Sequence, residues 1–180
     1  MYTATSDGLW EDAGLLTCMV GGKVSTVDVG ERAAIEFTDF NGDGRTDMLV
    51  GTGDGNLVLY LDTATSGATV FDAGQYLHDS AGRIRVGSRA SVAVADVDGD
   101  GLADLLIGSS SGSILYYRNE GRAGEPLFGE GVQIISGDGV LDLSAETSRL
   151  RLSTGDLNGD GVVDIVLGRS DGSVSVLYGT

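Results

Sequence analysis

The sequence predicts an all-β protein made of β-propeller blades, three four-stranded antiparallel repeats within 180 residues. Three observations predict it. A nine-residue acidic loop occurs three times, at spacings of 57 and 60 residues, and the match continues beyond each copy. Apolar and small residues alternate in short runs broken by Gly and Asp, and no helical apolar period runs far. The acids are twenty Asp against seven Glu, beside thirty Gly, a balance that suits turns better than helices.

The repeats span 1–62, 63–119 and 120–180, and they read as one propeller domain or half-propeller. In each, a first strand runs into the acidic loop, over 34–38, 91–95 and 150–154. A second strand leaves it, over 48–50, 105–107 and 165–167. A tight turn follows; Asp54-Gly55 and Asp171-Gly172 are hairpin dipeptides because Gly accepts positive φ. The third strands cover 56–60, 113–117 and 173–178. The fourth are less sharply bounded, near 15–20, 71–77 and 128–135. Trp10, Phe71 and Phe128 occupy similar places in their repeats and are expected in the blade core. Four antiparallel strands per period, with no helix between them, describe a propeller blade.

The loops read Asp39-Phe-Asn-Gly-Asp-Gly-Arg-Thr-Asp47, Asp96-Val-Asp-Gly-Asp-Gly-Leu-Ala-Asp104 and Asp156-Leu-Asn-Gly-Asp-Gly-Val-Val-Asp164. Side chains at positions 1, 3 and 5 converge when glycines let the backbone curl, position 7 offers a carbonyl, and position 9 supplies a last carboxylate. Such an all-oxygen cage with three or four negative charges suits Ca²⁺, whereas Zn²⁺ would want nitrogen or sulfur. An EF-hand needs Glu at position 12 between helices; here Val50, Ile107 and Leu167 stand there, between strands. Position 3 varies only between Asn and Asp, which share a carbonyl-type side-chain oxygen.

With sequels such as Met48-Leu-Val-Gly51, these loops resemble the FG-GAP or VCBS repeats of integrin-α-like β-propellers, over nearly the whole chain in three units. The resemblance implies structural Ca²⁺, about three per chain, in the loop between the first two strands of each blade. Carried over by position, the ligands are Asp39, Asn41, Asp43 and Asp47; Asp96, Asp98, Asp100 and Asp104; and Asp156, Asn158, Asp160 and Asp164. The carbonyls come from Arg45, Leu102 and Val162. The Phe-Gly and Gly-Ala-Pro signatures of the integrin version are not evident, so the bacterial-style VCBS variety is the closer likeness and no integrin-like ligand follows.

The formal net charge of −16 makes nucleic acid and anionic membranes poor partners. No apolar run approaches eighteen residues, so no membrane insertion is expected. The single cysteine, Cys18, excludes an internal disulfide and is expected as a buried thiol. The single histidine, His78, excludes multi-histidine metal sites and is expected on a surface loop. Gly108-Ser-Ser-Ser-Gly112 and Gly168-Arg-Ser-Asp-Gly172 match the hydrolase nucleophile elbow, but a strand follows each, so both read as hairpin turns.

Arg32, Arg89 and Arg149 each stand seven residues before a first loop Asp. They could ring one mouth of the central channel and hold an anion or acidic glycan, or act as struts to an acid of a neighbouring blade; the strut is the expectation. The function expected is a non-catalytic, calcium-stabilised extracellular scaffold or recognition module for glycan or protein, or for self-assembly. The alternative is a polysaccharide lyase or hydrolase, with Glu31, Glu36 and Glu146 as candidate acids. The setting expected is secreted or cell-surface, since calcium sites of extracellular modules commonly work near 10⁻⁴–10⁻³ M, although residues 1–20 lack the features of a signal peptide. Three wedges are too few to close a ring, and the chain starts and stops after a third strand. A head-to-tail homodimer closing a six-bladed ring is therefore expected.

Overall fold

The computed structural model describes residues 2–4, 10–12, 14–136, 139–140 and 150–180. Arg149 and Glu146 lie outside the described residues, as does the side chain of Trp10. Every regular element among the described residues is a β-strand.

Two sheets have four strands and a third has three, all antiparallel and in sequence order. The first contains Ala34–Thr38, Asp47–Gly51, Leu57–Tyr60 and Gln75–Tyr76. The second contains Ser91–Ala95, Asp104–Gly108, Ile114–Tyr117 and Val132–Gln133. The third contains Arg151–Gly155, Asp164–Gly168 and Val174–Leu177. The register repeats: Ala34 faces Gly51, Ser91 faces Gly108 and Arg151 faces Gly168. The acidic loop therefore leaves the same corner of each sheet. These are the blades that the repeats predict, with the third blade's first strand beginning one residue later than expected.

The fourth strands depart further from expectation. They shrink to Gln75–Tyr76 and Val132–Gln133. The expected strand over 15–20 is Thr17–Val20, which pairs with Lys23–Thr26 across Gly21-Gly22 rather than joining a four-stranded sheet. Similar hairpins follow the two fourth strands, His78–Asp79 with Gly82–Arg83 and Ile135–Ser136 with Gly139–Val140. His78 thus sits on a short exposed strand, not in a loop. Two-residue strands carry no readable alternation, which is why the sequence does not reveal them.

The sheets stack face to face. The middle strands Asp47–Gly51 and Asp104–Gly108 are buried along their whole length, because successive side chains point to opposite neighbours and both faces are covered. Leu49 and Leu57 pack with Val92, Leu105 and Ile107 between the first and second sheets. Leu106 and Ile114 pack with Leu150, Ile165 and Leu167 between the second and third. Met48, Val50 and Tyr60 pack with Phe71 and the buried thiol Cys18 on the other side of the first sheet. Phe71 and Phe128 are each 3% exposed, as their expected place in the core requires.

The first strands of successive sheets lie beside one another. The Leu152 N–H donates to Ser91 Oγ at 3.2 Å, and Thr154 Oγ1 donates to the Val94 carbonyl at 3.4 Å. On the first sheet, Ile35 and Phe37 are 53% and 55% exposed, whereas their second-sheet counterparts Val92 and Val94 pack into or against the core shared with the first sheet.

Candidate metal centre

Each acidic loop is folded by its own carboxylates before any cation is considered. Paired glycines at positions 4 and 6, such as Gly42 and Gly44 with φ of 73° and 83°, let the chain curl so that its N–H groups point inward. The position-1 acid accepts two of them. Asp39 accepts from Asp43 and Gly44 at 3.0 and 2.8 Å, Asp96 from Gly99 and Gly101 at 2.8 and 2.9 Å, and Asp156 from Gly159 and Gly161 at 2.6 and 2.9 Å. The position-5 acid closes a local turn. Asp43, Asp100 and Asp160 accept the N–H of Arg45, Leu102 and Val162 at 2.9, 2.9 and 2.8 Å.

Position 3 divides the loops. Asn41 and Asn158 donate their side-chain amides to Asp43 and Asp160 at 2.9 and 2.8 Å. Asp98 has no such donor, and its carboxylate instead meets Arg118 Nε at 2.5 Å.

Position 9 has a second role that the spacing alone does not reveal. Asp47, Asp104 and Asp164 are fully buried. Asp47 accepts from the N–H of Phe40 and of Asp62, at 2.9 and 2.8 Å. Asp104 accepts from the N–H of Val97 and Asn119 at 3.0 and 2.7 Å, and from the Tyr116 hydroxyl at 3.0 Å. Asp164 accepts from the N–H of Leu157 and Gly179 at 2.8 and 2.9 Å. Each carboxylate thus ties the start of its loop to the end of the third strand. Burial pushes the carboxyls of Asp47 and Asp104 above the usual range, against the lowering effect of these hydrogen bonds. Desolvation, then the hydrogen bond to Asp104, raises the Tyr116 phenol well above its ordinary value, so Tyr116 is a donor at neutral pH.

In the second loop, oxygens of Asp96, Asp98 and Asp104 all lie within 4.8 Å of one another. Three hard oxygen donors at that separation fit a Ca²⁺-sized cation, with no nitrogen or sulfur to favour a softer one. Among the described residues this is the group of three acids that meets so closely; Asp100 stands apart from it, paired with Arg118 Nη2 at 3.3 Å. The third loop repeats this backbone arrangement, the first differs in that Asp39 takes the N–H of position 5 in place of position 4, and both have Asn in place of the second acid.

Cations stand beside two of these loops, which the loop motif does not foretell. Arg45, whose carbonyl is an expected ligand, turns its guanidinium onto Asp43 and onto the Asp62 carbonyl, the latter at 2.7 Å. Arg118 spans Asp98 and Asp100. Arg118 lies fourteen residues beyond Asp104, at the end of a third strand, so only the strand register could have placed it.

Elsewhere, a cleft of about 650 Å³ is lined by Glu31, Asp54, Tyr60 and Tyr76 among others, so one candidate acid of the enzyme alternative borders a cavity. Glu36 lies on the first strand opposite Leu49, and burial raises its carboxyl. The segments matching the nucleophile elbow are hairpin turns: the Gly112 N–H donates to Ser109 C=O, and the Gly172 N–H to Arg169 C=O, at 3.2 and 3.1 Å.

No curated protein matches the chain. The FG-GAP-like repeat model matches it twice, over residues 39–107 and 96–167, and each match starts or ends at the acidic loops and the strands around them. Together they cover more than half of the sequence, and the chain belongs to the FG-GAP-like repeat family.

Proposed function

We propose that the protein is a non-catalytic recognition or scaffold module whose blades are pinned by calcium, one ion per acidic loop, in a secreted or cell-surface setting. The observation that carries this reading is the meeting of Asp96, Asp98 and Asp104 oxygens within 4.8 Å. Bound there, calcium supplies positive charge to carboxylates that otherwise repel one another. Asp96 and Asp98 hold it from the loop side. Asp104 holds it from the sheet side, while its hydrogen bonds to Val97 and Asn119 keep both strands in register. In the first and third loops, the expected ligands are Asp39, Asn41, Asp43 and Asp47, and Asp156, Asn158, Asp160 and Asp164. The carbonyls of Arg45, Leu102 and Val162 complete the sets.

Thermal melting in calcium and in chelator tests the reading. With a site Kd near ~10 μM, ~1 mM Ca²⁺ adds about 2.7 kcal/mol per site by mass action. Chelation should lower the melting temperature by many degrees, and identical melting curves would end the proposal. Turnover of an acidic polysaccharide in the presence of calcium would instead favour the enzyme alternative.

A further inference from the structure

The corner of each blade opposite the acidic loop holds a different chemistry. Arg32 and Arg89 have φ of 64° and 55°, and among the described residues they are the non-glycine residues with positive φ. The strain has a cause in the backbone. The carbonyls of Glu31 and Ser88, one residue earlier, accept the N–H groups of Gly53 and Ser110 in their own blade's hairpin turn, at 2.9 and 3.1 Å. The Arg89 N–H then reaches back to the Gly53 carbonyl of the preceding blade at 2.9 Å. At Arg89 the chain makes both links, and it turns between them through a residue in the left-handed region. It is the backbone at this position that joins the blades. Glycine would serve that backbone better than any side chain does. Yet arginine stands there in both repeats, so its side chain has a use apart from the backbone link.

The side chains point to that use. Arg32, Arg89 and Arg151, one from each blade, line a single cavity of about 210 Å³ with Leu150. Three of the chain's eleven basic residues thus share one space in a protein of net charge −16. Among the described residues Arg32 does not reach an acid of a neighbouring blade, as a strut would: the carboxylate it approaches is that of the adjacent Glu31, at 4.0 Å and almost fully exposed. The cavity sits at the start of the first strands, and the acidic loops sit at their ends. Seven residues of extended chain separate them, roughly 20 Å. The calcium-type loops and the arginines therefore occupy opposite faces.

We infer that this cavity is an oxyanion-binding site, in which the three guanidinium groups take a sulfate ester or a carboxylate of the partner. Guanidinium groups match both geometries through paired N–H donors. The site is independent of whether the loops bind calcium.

The positive φ supplies a clean test. Arg32→Gly and Arg89→Gly remove the guanidinium groups while suiting the backbone, which keeps its N–H and C=O links. Calorimetric titration at low ionic strength would use sodium sulfate in one arm and galacturonate in the other, each with wild type and with the double variant. Binding in at least one arm is expected, weakened at least tenfold in the double variant, with the melting temperature of Arg32→Gly alone unchanged or raised. The arm that binds identifies the source of the oxyanion. Failure of both probes to bind wild type overturns the inference, as does equal binding by the double variant. A melting temperature lowered by several degrees in Arg32→Gly alone also overturns it, and restores the strut.

Discussion

Replacing Asp47 by Ala separates the two roles of the ninth loop residue. Its carboxylate is fully buried and accepts the N–H groups of Phe40 and Asp62 at 2.9 and 2.8 Å. The link reaches further, because the Phe40 ring packs against Phe128 of the next blade with centroids 6.0 Å apart. Truncation strands two buried donors. Each costs about 1–3 kcal/mol, so the variant should lose roughly 2–6 kcal/mol of stability even without calcium. Asp43 is a contrast within the same loop. It is exposed, and its hydrogen bonds run to Arg45 and Asn41 near the surface. Asp43→Ala should change calcium-free stability by no more than about 0.5 kcal/mol, as surface substitutions do. Both variants should lose stability in calcium. Urea unfolding of the three proteins, in calcium and in chelator, measures all of this. If Asp47→Ala were as stable as wild type in chelator, the buried anchor would be refuted.

Gly51→Ala should destabilise by about 1–3 kcal/mol or more through overpacking, because its Cβ would lie 2.3 Å from the Ala90 carbonyl oxygen of the next blade. Gly155→Ala, with nothing within 4 Å, is the control, and equal melting of the two would contradict the tight blade interface. Burial raises the carboxyl of Asp104 above its ordinary value of 3.8, so the folded calcium-free protein holds that proton more tightly than the unfolded chain. Its contribution to stability therefore grows as pH falls from neutral towards 3.8 and is lost as pH rises through the raised value. In chelator, wild type should gain stability relative to Asp104→Asn as pH falls from 7 towards 3.8, and a flat difference over that range would refute the raised carboxyl. Among the described residues, the third sheet ends on Val174–Leu177 with one bonded neighbour, and Ile35 and Phe37 are open on the first sheet. A head-to-tail dimer that covers both should scatter light as about twice the 18.5 kDa chain mass, and a monomer in calcium would count against it.

The repeat made much of this legible. Three copies of one loop at near-constant spacing placed the first three strands of each blade to within a residue or so, since register follows once one corner is fixed. The ninth-position acids were found by the same spacing, but their anchoring of Asp62, Asn119 and Gly179 was not. Those partners lie fifteen residues away across a strand pair, and only the fold brings them close. The short hairpins at 78–83 and 135–140 escaped because two-residue strands have no period. The arginine positions were visible as a repeat, but their meaning was not. The left-handed backbone at Arg32 and Arg89 depends on links to Gly53 and Ser110, which no local pattern encodes.

Calcium stoichiometry tests the central claim most directly. Protein stripped with chelator, dialysed and titrated calorimetrically should bind about three Ca²⁺ per chain, one for each acidic loop. Asp104→Ala should bind one fewer while retaining the others. A stripped, folded protein that takes up no calcium at millimolar concentration would contradict the account.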